Sequence, residues 1–250
     1  ISDDLFAPTM LQKLYEKARA DDADIVMTAF RSFSDATGKR EPLGRRGRLH
    51  AHLLPKATPF APAEISDHIF TAPHTTVWNK IFRTAFVREE GLRFETVHRS
   101  NDAYFNMMAL TVASRLSYVN EPLVSYRASN ANSLQGSQAD EDFSWADASR
   151  AVVAELTRRG IYGTFRRAML QRVATRSFDR LSKAATATAF AEMYETVRFS
   201  IFPEFELDTA EREDFPDPAV ADRVDDFLRL PMTEWLLENP TAASVRLRAS

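Results

Sequence analysis

The sequence predicts an α/β fold followed by a helical region, on three observations. An amphipathic helix runs directly into a β-branched apolar stretch, further short apolar segments alternate with helical ones as far as about residue 136, and only helical periodicity follows Asp140. Pro8 stands at the first turn of a helix carrying Met10, Leu11, Leu14, Tyr15 and Ala18 at helical spacing, which ends at Asp21-Asp22. Ile25 to Phe30 is nearly continuous and apolar, the pattern of a strand buried on both faces. Residues 34–62 hold Gly38, Pro42, Gly44, Gly47 and Pro55 with little periodicity, so an irregular surface excursion is expected there.

Val77 to Phe82 reads as a short strand, Ala85 to Glu90 as a helical turn closed by Gly91, and Ser100 opens a helix to about Ser114. Leu116 to Val119 and Leu123 to Tyr126 read as two short strands joined by an Asn120-Glu121-Pro122 turn. The expected division is residues 1–136 for the α/β part and 137–250 for the helical part.

The composition excludes several classes. The chain has 250 residues, 44% of them hydrophobic and 27% charged, an ordinary globular balance rather than a disordered one. No apolar run is long enough to span a membrane, and no basic segment followed by an apolar stretch opens the chain. Without cysteine there is no disulfide framework and no thiolate site, which suits a reducing, cytoplasmic setting. The 7 glycines show neither GxGxxG nor GxxxxGK[ST], so no glycine loop cradles a phosphate. A net charge of −3 gives no general attraction to nucleic acid.

Three places could carry chemistry. Asp3 and Asp4 lie just before a helix; paired carboxylates suit Mg²⁺ or Mn²⁺ on a nucleotide diphosphate, although acids there also serve as plain helix caps. Asn101 and Asp102 open a largely apolar helix, where Asp102 is a candidate base held in place by geometry or simply a first-turn acid. Trp78, Asn79 and Lys80, with Tyr126 and Arg127, offer an indole to stack on a sugar, an amide for a hydroxyl and a guanidinium for a phosphate. His50 and His52 alternate without a third ligand at metal spacing and are expected as exposed loop residues.

The order of these segments closely resembles bacterial family 2 glycosyltransferases of the GT-A fold: Ser2-Asp3-Asp4-Leu5-Phe6, Ala23-Asp24-Ile25-Val26, Trp78-Asn79-Lys80-Ile81-Phe82-Arg83, Gly91-Leu92-Arg93-Phe94, Ser100-Asn101-Asp102 and Tyr118 to Arg127. The resemblance implies the C-terminal part of a GT-A mixed sheet followed by a helical appendage. It also implies inverting transfer of a sugar from a nucleotide-diphosphate donor to a glycan or lipid-linked acceptor. Asp3 and Asp4 would then hold the metal, Asp102 would be the base, and Trp78, Asn79, Lys80, Asn101 and Arg127 would contact substrate. Departures from the pattern are Ile1 where a leading aspartate is usual, and Ser129, Asn130 and Asn132 where a histidine often follows the Tyr-Arg pair. The family's first strands would precede Ile1, so the chain by itself is expected to be inactive and its full-length parent to act in polysaccharide assembly at the cell envelope. A non-catalytic GT-A-like binding module, or an unrelated α/β domain with a helical interaction bundle, are the alternatives.

Arg172, Arg176, Arg180 and Lys183 share one helix face. Such a stripe suits peripheral contact with anionic lipid at the inner face of the cell membrane. The acidic segment 204–226, with ten acids against two bases, is the competing and favoured occupant, being part of the same chain.

Overall fold

The computed structural model describes residues 4–34, 49–94, 101–128, 143–184 and 186–239. Contacts divide the chain into two units, one of residues 1–137 and 151–165 and one of residues 138–150 and 166–250. The first unit ends near the expected boundary and also takes up a later segment.

In the first unit the described residues form a mixed four-stranded sheet in the order β1-β4-β2-β3. Strand β2 (Ile25–Ser34) runs parallel to β4 (Leu116–Ala128), while β1 (Leu5–Phe6) and β3 (Lys80–Phe82) pair antiparallel at the edges. This is the α/β class expected. Ile25, Val26, Met27 and Thr28 are wholly buried, as a central strand requires. Helix α1 (Met10–Asp21) lays Met10 and Leu14 on Val26, Phe30, Leu123 and Val124. Asp22, at φ 48°, closes that helix in the left-handed conformation.

The two strands expected around residues 116–126 are one strand. Its register against β2 shifts between Thr28 and Phe30, so Asn120-Glu121-Pro122 forms a bulge rather than a turn. The Thr28 hydroxyl donates to the Glu121 carbonyl at 2.5 Å and ties the bulge to β2. Pro122, which lacks an N–H, sits at the irregular point where the ladder is already interrupted.

The described end of the 34–62 excursion also differs from expectation. Leu49, Leu54 and Phe60 are buried, and Phe60 exchanges both backbone hydrogen bonds with Leu116. Short helix α2 (Thr84–Glu89) closes at Gly91 with φ 63°, and α3 (Asn101–Val112) buries Phe105 through Leu110.

The second unit is helical. It takes the first half of α4 (Ser144–Arg158), as far as Arg150, and most of α5 (Tyr162–Leu181), then α6 (Ala187–Thr196), a π turn (Val197–Ile201), α7 (Phe202–Glu204), α8 (Pro218–Arg229) and α9 (Met232–Glu238). Phe178, Phe190, Tyr194, Phe202, Phe227 and Trp235 form its aromatic core. Arg198 donates to the Tyr194 hydroxyl and to the carbonyls of Phe227 and Leu230 at 2.6–2.9 Å, and also to that of Leu228, satisfying the orphan carbonyls at the end of α8.

The expected basic stripe is not a surface stripe. Arg172 and Arg180 are buried, Lys183 pairs with Asp179 at 2.7 Å, and a periodic row of cations therefore faces the interior as much as water. The acidic segment instead meets the preceding turn of α5. Arg166 pairs with Asp214 at 2.7 Å, and Arg167 donates to the Glu213 carbonyl at 3.0 Å. Among the described residues no helix is long and apolar enough to cross a membrane.

Candidate functional site

Parallel strands β2 and β4 carry their C-terminal residues to one edge of the sheet, the place where open α/β sheets accept ligands. There Phe33 and Arg127 are register partners, and the guanidinium lies over the Phe33 ring at 4.8 Å. The Arg127 backbone N–H donates to Asp4 Oδ1 at 2.9 Å, which fixes this carboxylate where β1 meets β4. Asp3 lies outside the described residues, as does the side chain of Asn101.

One residue before Arg127, the Tyr126 ring stacks on Trp78 at 5.5 Å and 8°. Both rings meet the edge or face of Phe30, at 6.4 and 4.7 Å. Trp78 thus has one of its faces covered by Tyr126.

Asn79 and Lys80, expected to contact substrate, are engaged in hydrogen bonds within the protein. Asn79 is wholly buried: its amide donates to the Thr28 carbonyl at 2.8 Å, and its Oδ1 accepts from Thr76 and from Lys80, each at 2.9 Å. The Lys80 ammonium donates to the His74 carbonyl at 3.0 Å, the Thr76 carbonyl at 2.6 Å and Asn79 Oδ1. Those are all the donors an ammonium has. Both side chains hydrogen-bond within the protein and shape the 74–80 segment. Burial pulls the Lys80 pKa down to about 7, against which the Asp102 carboxylate favours the proton.

Asp102, in the first turn of α3, is near enough to Lys80 to act on it electrostatically. One turn along α3, Asn106 is also wholly buried and donates to the His74 carbonyl at 3.3 Å. A chain of contacts therefore runs from α3, through Asn106 one turn after Asp102, to His74, from His74 to Phe30 with ring centres 5.0 Å apart, and on through Trp78 and Tyr126 to Arg127 and Asp4.

His74, Asn106 and Phe30 escaped the sequence reading. His74 shows only as a polar residue in a Pro-His-Thr-Thr run, while Asn106 and Phe30 look like interior positions. His50 is half-buried, not exposed: its ring stacks on His74 at 6.0 Å, and burial followed by the nearby His52 lowers its pKa. Among the described residues no three His, Cys, Asp or Glu side chains cluster as a protein-only metal cage.

Neither a protein-family description nor a curated protein sequence matches the chain. Solved structures do. The chain is similar to residues 1–349 of S. aureus TarS in complex with UDP-GlcNAc, at 15% identity over 91% of this chain and 66% of that one, with a TM-score of 0.55. The same TarS segment without ligand gives 15% identity, 64% coverage of that chain and a TM-score of 0.53, and its UDP complex gives 14%, 64% and 0.52. The chain spans just under two thirds of the length of these structures. At this identity the likeness establishes the fold, a mixed α/β glycosyltransferase fold.

Proposed function

We propose that this chain is part of an inverting, metal-assisted family 2 glycosyltransferase that moves a sugar from a nucleotide-diphosphate donor to a glycan or lipid-linked acceptor. The observation that carries this reading is that the helix bearing Asp102, through Asn106 on His74, and Asp4, through Arg127, both join one aromatic cluster at the C-terminal edge of β2 and β4, within a fold that TarS shares in its complexes with UDP-GlcNAc and UDP.

Asp102 takes the proton of the acceptor hydroxyl as that oxygen bonds the anomeric carbon. The donor's diphosphate leaves with the electron pair of the broken bond, and Arg127 meets its charge. Asp4, fixed by the Arg127 N–H, is a hard oxygen donor of the kind Mg²⁺ or Mn²⁺ takes alongside phosphate oxygens and water, and Asp3 is its proposed companion. When bound, the cation supplies positive charge to the diphosphate. Trp78 and Tyr126 give the sugar an apolar wall. A cytoplasmic setting at the inner face of the cell membrane goes with a lipid-linked acceptor.

The test is transfer by the full-length native protein with nucleotide sugars and Mn²⁺ or Mg²⁺. Asp102→Asn is expected to lower turnover by about 10²–10⁴-fold while leaving donor affinity largely intact, because a base acts in the chemical step. Transfer at the wild-type rate by Asp102→Asn would remove it as the base.

A further inference from the structure

We propose that His74 contacts the transferred sugar, its imidazole hydrogen-bonding a ring hydroxyl while Lys80 and Asn106 hold the backbone that presents it. This deepens the glycosyltransferase reading and rests on it.

The first observation is backbone geometry. Three described residues other than glycine have positive φ: Asp22, His74 and Glu206. Asp22 closes α1, and Glu206 lies just past the end of α7, where the Leu207 N–H returns to the Phe202 carbonyl. At both places a left-handed residue ends a helix in the ordinary way. His74, at φ 58°, ends no helix. Strained conformations persist only where surroundings over-determine them, and they concentrate at ligand-handling positions.

The surroundings here do over-determine it. Two buried side chains from different elements, Lys80 of β3 and Asn106 of α3, donate to the same His74 carbonyl. Burying an ammonium and an amide to fix the 74–79 bend, with both on the His74 carbonyl, is a costly way to shape a mere connection. The conformation they enforce carries the half-buried imidazole between Phe30, at 5.0 Å and 65°, and His50, at 6.0 Å and 30°. Trp78 and Tyr126 stand one ring further on.

Apolar ring faces interleaved with a few polar nitrogens match the chemistry of a pyranose, whose C–H face packs on aromatics while its rim needs hydrogen-bond partners. A second polar atom agrees. Asn106 Oδ1 is buried and has no hydrogen-bond partner among the described residues, which leaves an acceptor open beside the group that fixes His74. Asn106 stands one turn after Asp102 on α3, so its bond to the His74 carbonyl ties the helix that carries the proposed base to this segment.

Glycine and asparagine both tolerate φ near 60°, so the backbone and imidazole roles of His74 can be separated. The experiment titrates UDP, UDP-GlcNAc, UDP-glucose and UDP-galactose into the full-length protein by calorimetry, for wild type, His74→Gly and His74→Asn. Both variants are expected to melt within about 2 °C of wild type and to bind UDP unchanged. His74→Gly should weaken the best-bound sugar nucleotide about tenfold, the scale of one lost polar contact, with His74→Asn in between. Wild-type affinity for that sugar nucleotide in a folded His74→Gly or His74→Asn protein overturns the proposal and leaves the glycosyltransferase reading standing. An equal loss for UDP assigns His74 to the diphosphate and also overturns it. Wild-type protein that binds none of the four compounds defeats the glycosyltransferase reading, and the sugar contact falls with it.

Discussion

Lys80 in the sheet unit and Arg198 in the helical unit both direct their donors mainly to backbone carbonyls, over very different spans. Lys80 reaches back four and six residues, to Thr76 and His74, and stiffens a single bend beside Asp102. Arg198 reaches forward to Phe227, Leu228 and Leu230 and fastens the end of α8 to the turn that follows α6. The lysine is wholly enclosed and has a carboxylate for a neighbour, whereas the arginine lies over the Tyr194 and Phe199 rings with Phe199 itself exposed. Buried polar groups that serve a site and those that serve stability can thus be told apart by reach. The first kind shapes one loop, and the second joins elements remote in sequence.

The contrast is sharpened most by an apolar change. Trp235 is wholly buried against Phe178, Phe190, Tyr194 and Phe227, so Trp235→Ala should cost about 3–5 kcal/mol in chemical denaturation of the helical unit. A loss below about 1 kcal/mol would mean that the aromatic cluster is not what holds this unit together.

A pH effect comes next. Burial pulls the Lys80 pKa down to about 7 in the folded protein, against its ordinary 10.5 in the unfolded chain, so between those values the unfolded chain binds more protons and stability rises with pH. The rise is at most about 1.4 kcal/mol per pH unit for one proton and should vanish in Lys80→Met. Denaturation midpoints from pH 6.5 to 10.5 check this. An unchanged slope in Lys80→Met would place the titration elsewhere.

Arg198→Ala gives the smallest expected effect, a loss of about 1–3 kcal/mol for charge-assisted hydrogen bonds to helix-end carbonyls. Its pH slope should match that of wild type. A slope changed as in Lys80→Met would erase the distinction between the two cations.

Much of the sheet unit was legible because its signals are local. A β-branched run after an amphipathic helix marked β2, Gly91 marked the end of α2, and the opening of α3 stood within one residue of its observed start. What was misread depended on partners far away in sequence. Asn120-Glu121-Pro122 has the composition of a turn, and only the Thr28 hydroxyl on Glu121 and the register beside β2 make it a bulge. The basic residues of α5 were periodic, but periodicity does not say which face is covered, and Arg172 and Arg180 proved to be inside.

At the candidate site, sequence order named Asp4, Trp78, Asp102 and Arg127; the structure links Asp4 to Arg127 and Trp78 to Tyr126, and carries Asp102 one turn before Asn106 on α3. That the donors of Asn79 and Lys80 are taken up within the protein could not be read from the sequence, because their acceptors are set by the fold of the 74–80 segment and by Thr28 on β2. The positive φ of His74 leaves no mark in composition.

Residues 151–165 count with the sheet unit, and within it Arg159 binds Glu90 at 2.5 Å, although residues 138–150 before them count with the helical one. For inheritance this means that neither unit is a contiguous cassette. A recombination event joining the first 137 residues to a foreign tail would carry Glu90 away without Arg159, and a donor supplying only residues 166–250 would lack the opening of α4. The helical part is therefore expected to travel with its own sheet through evolution, changing by substitution and not by exchange.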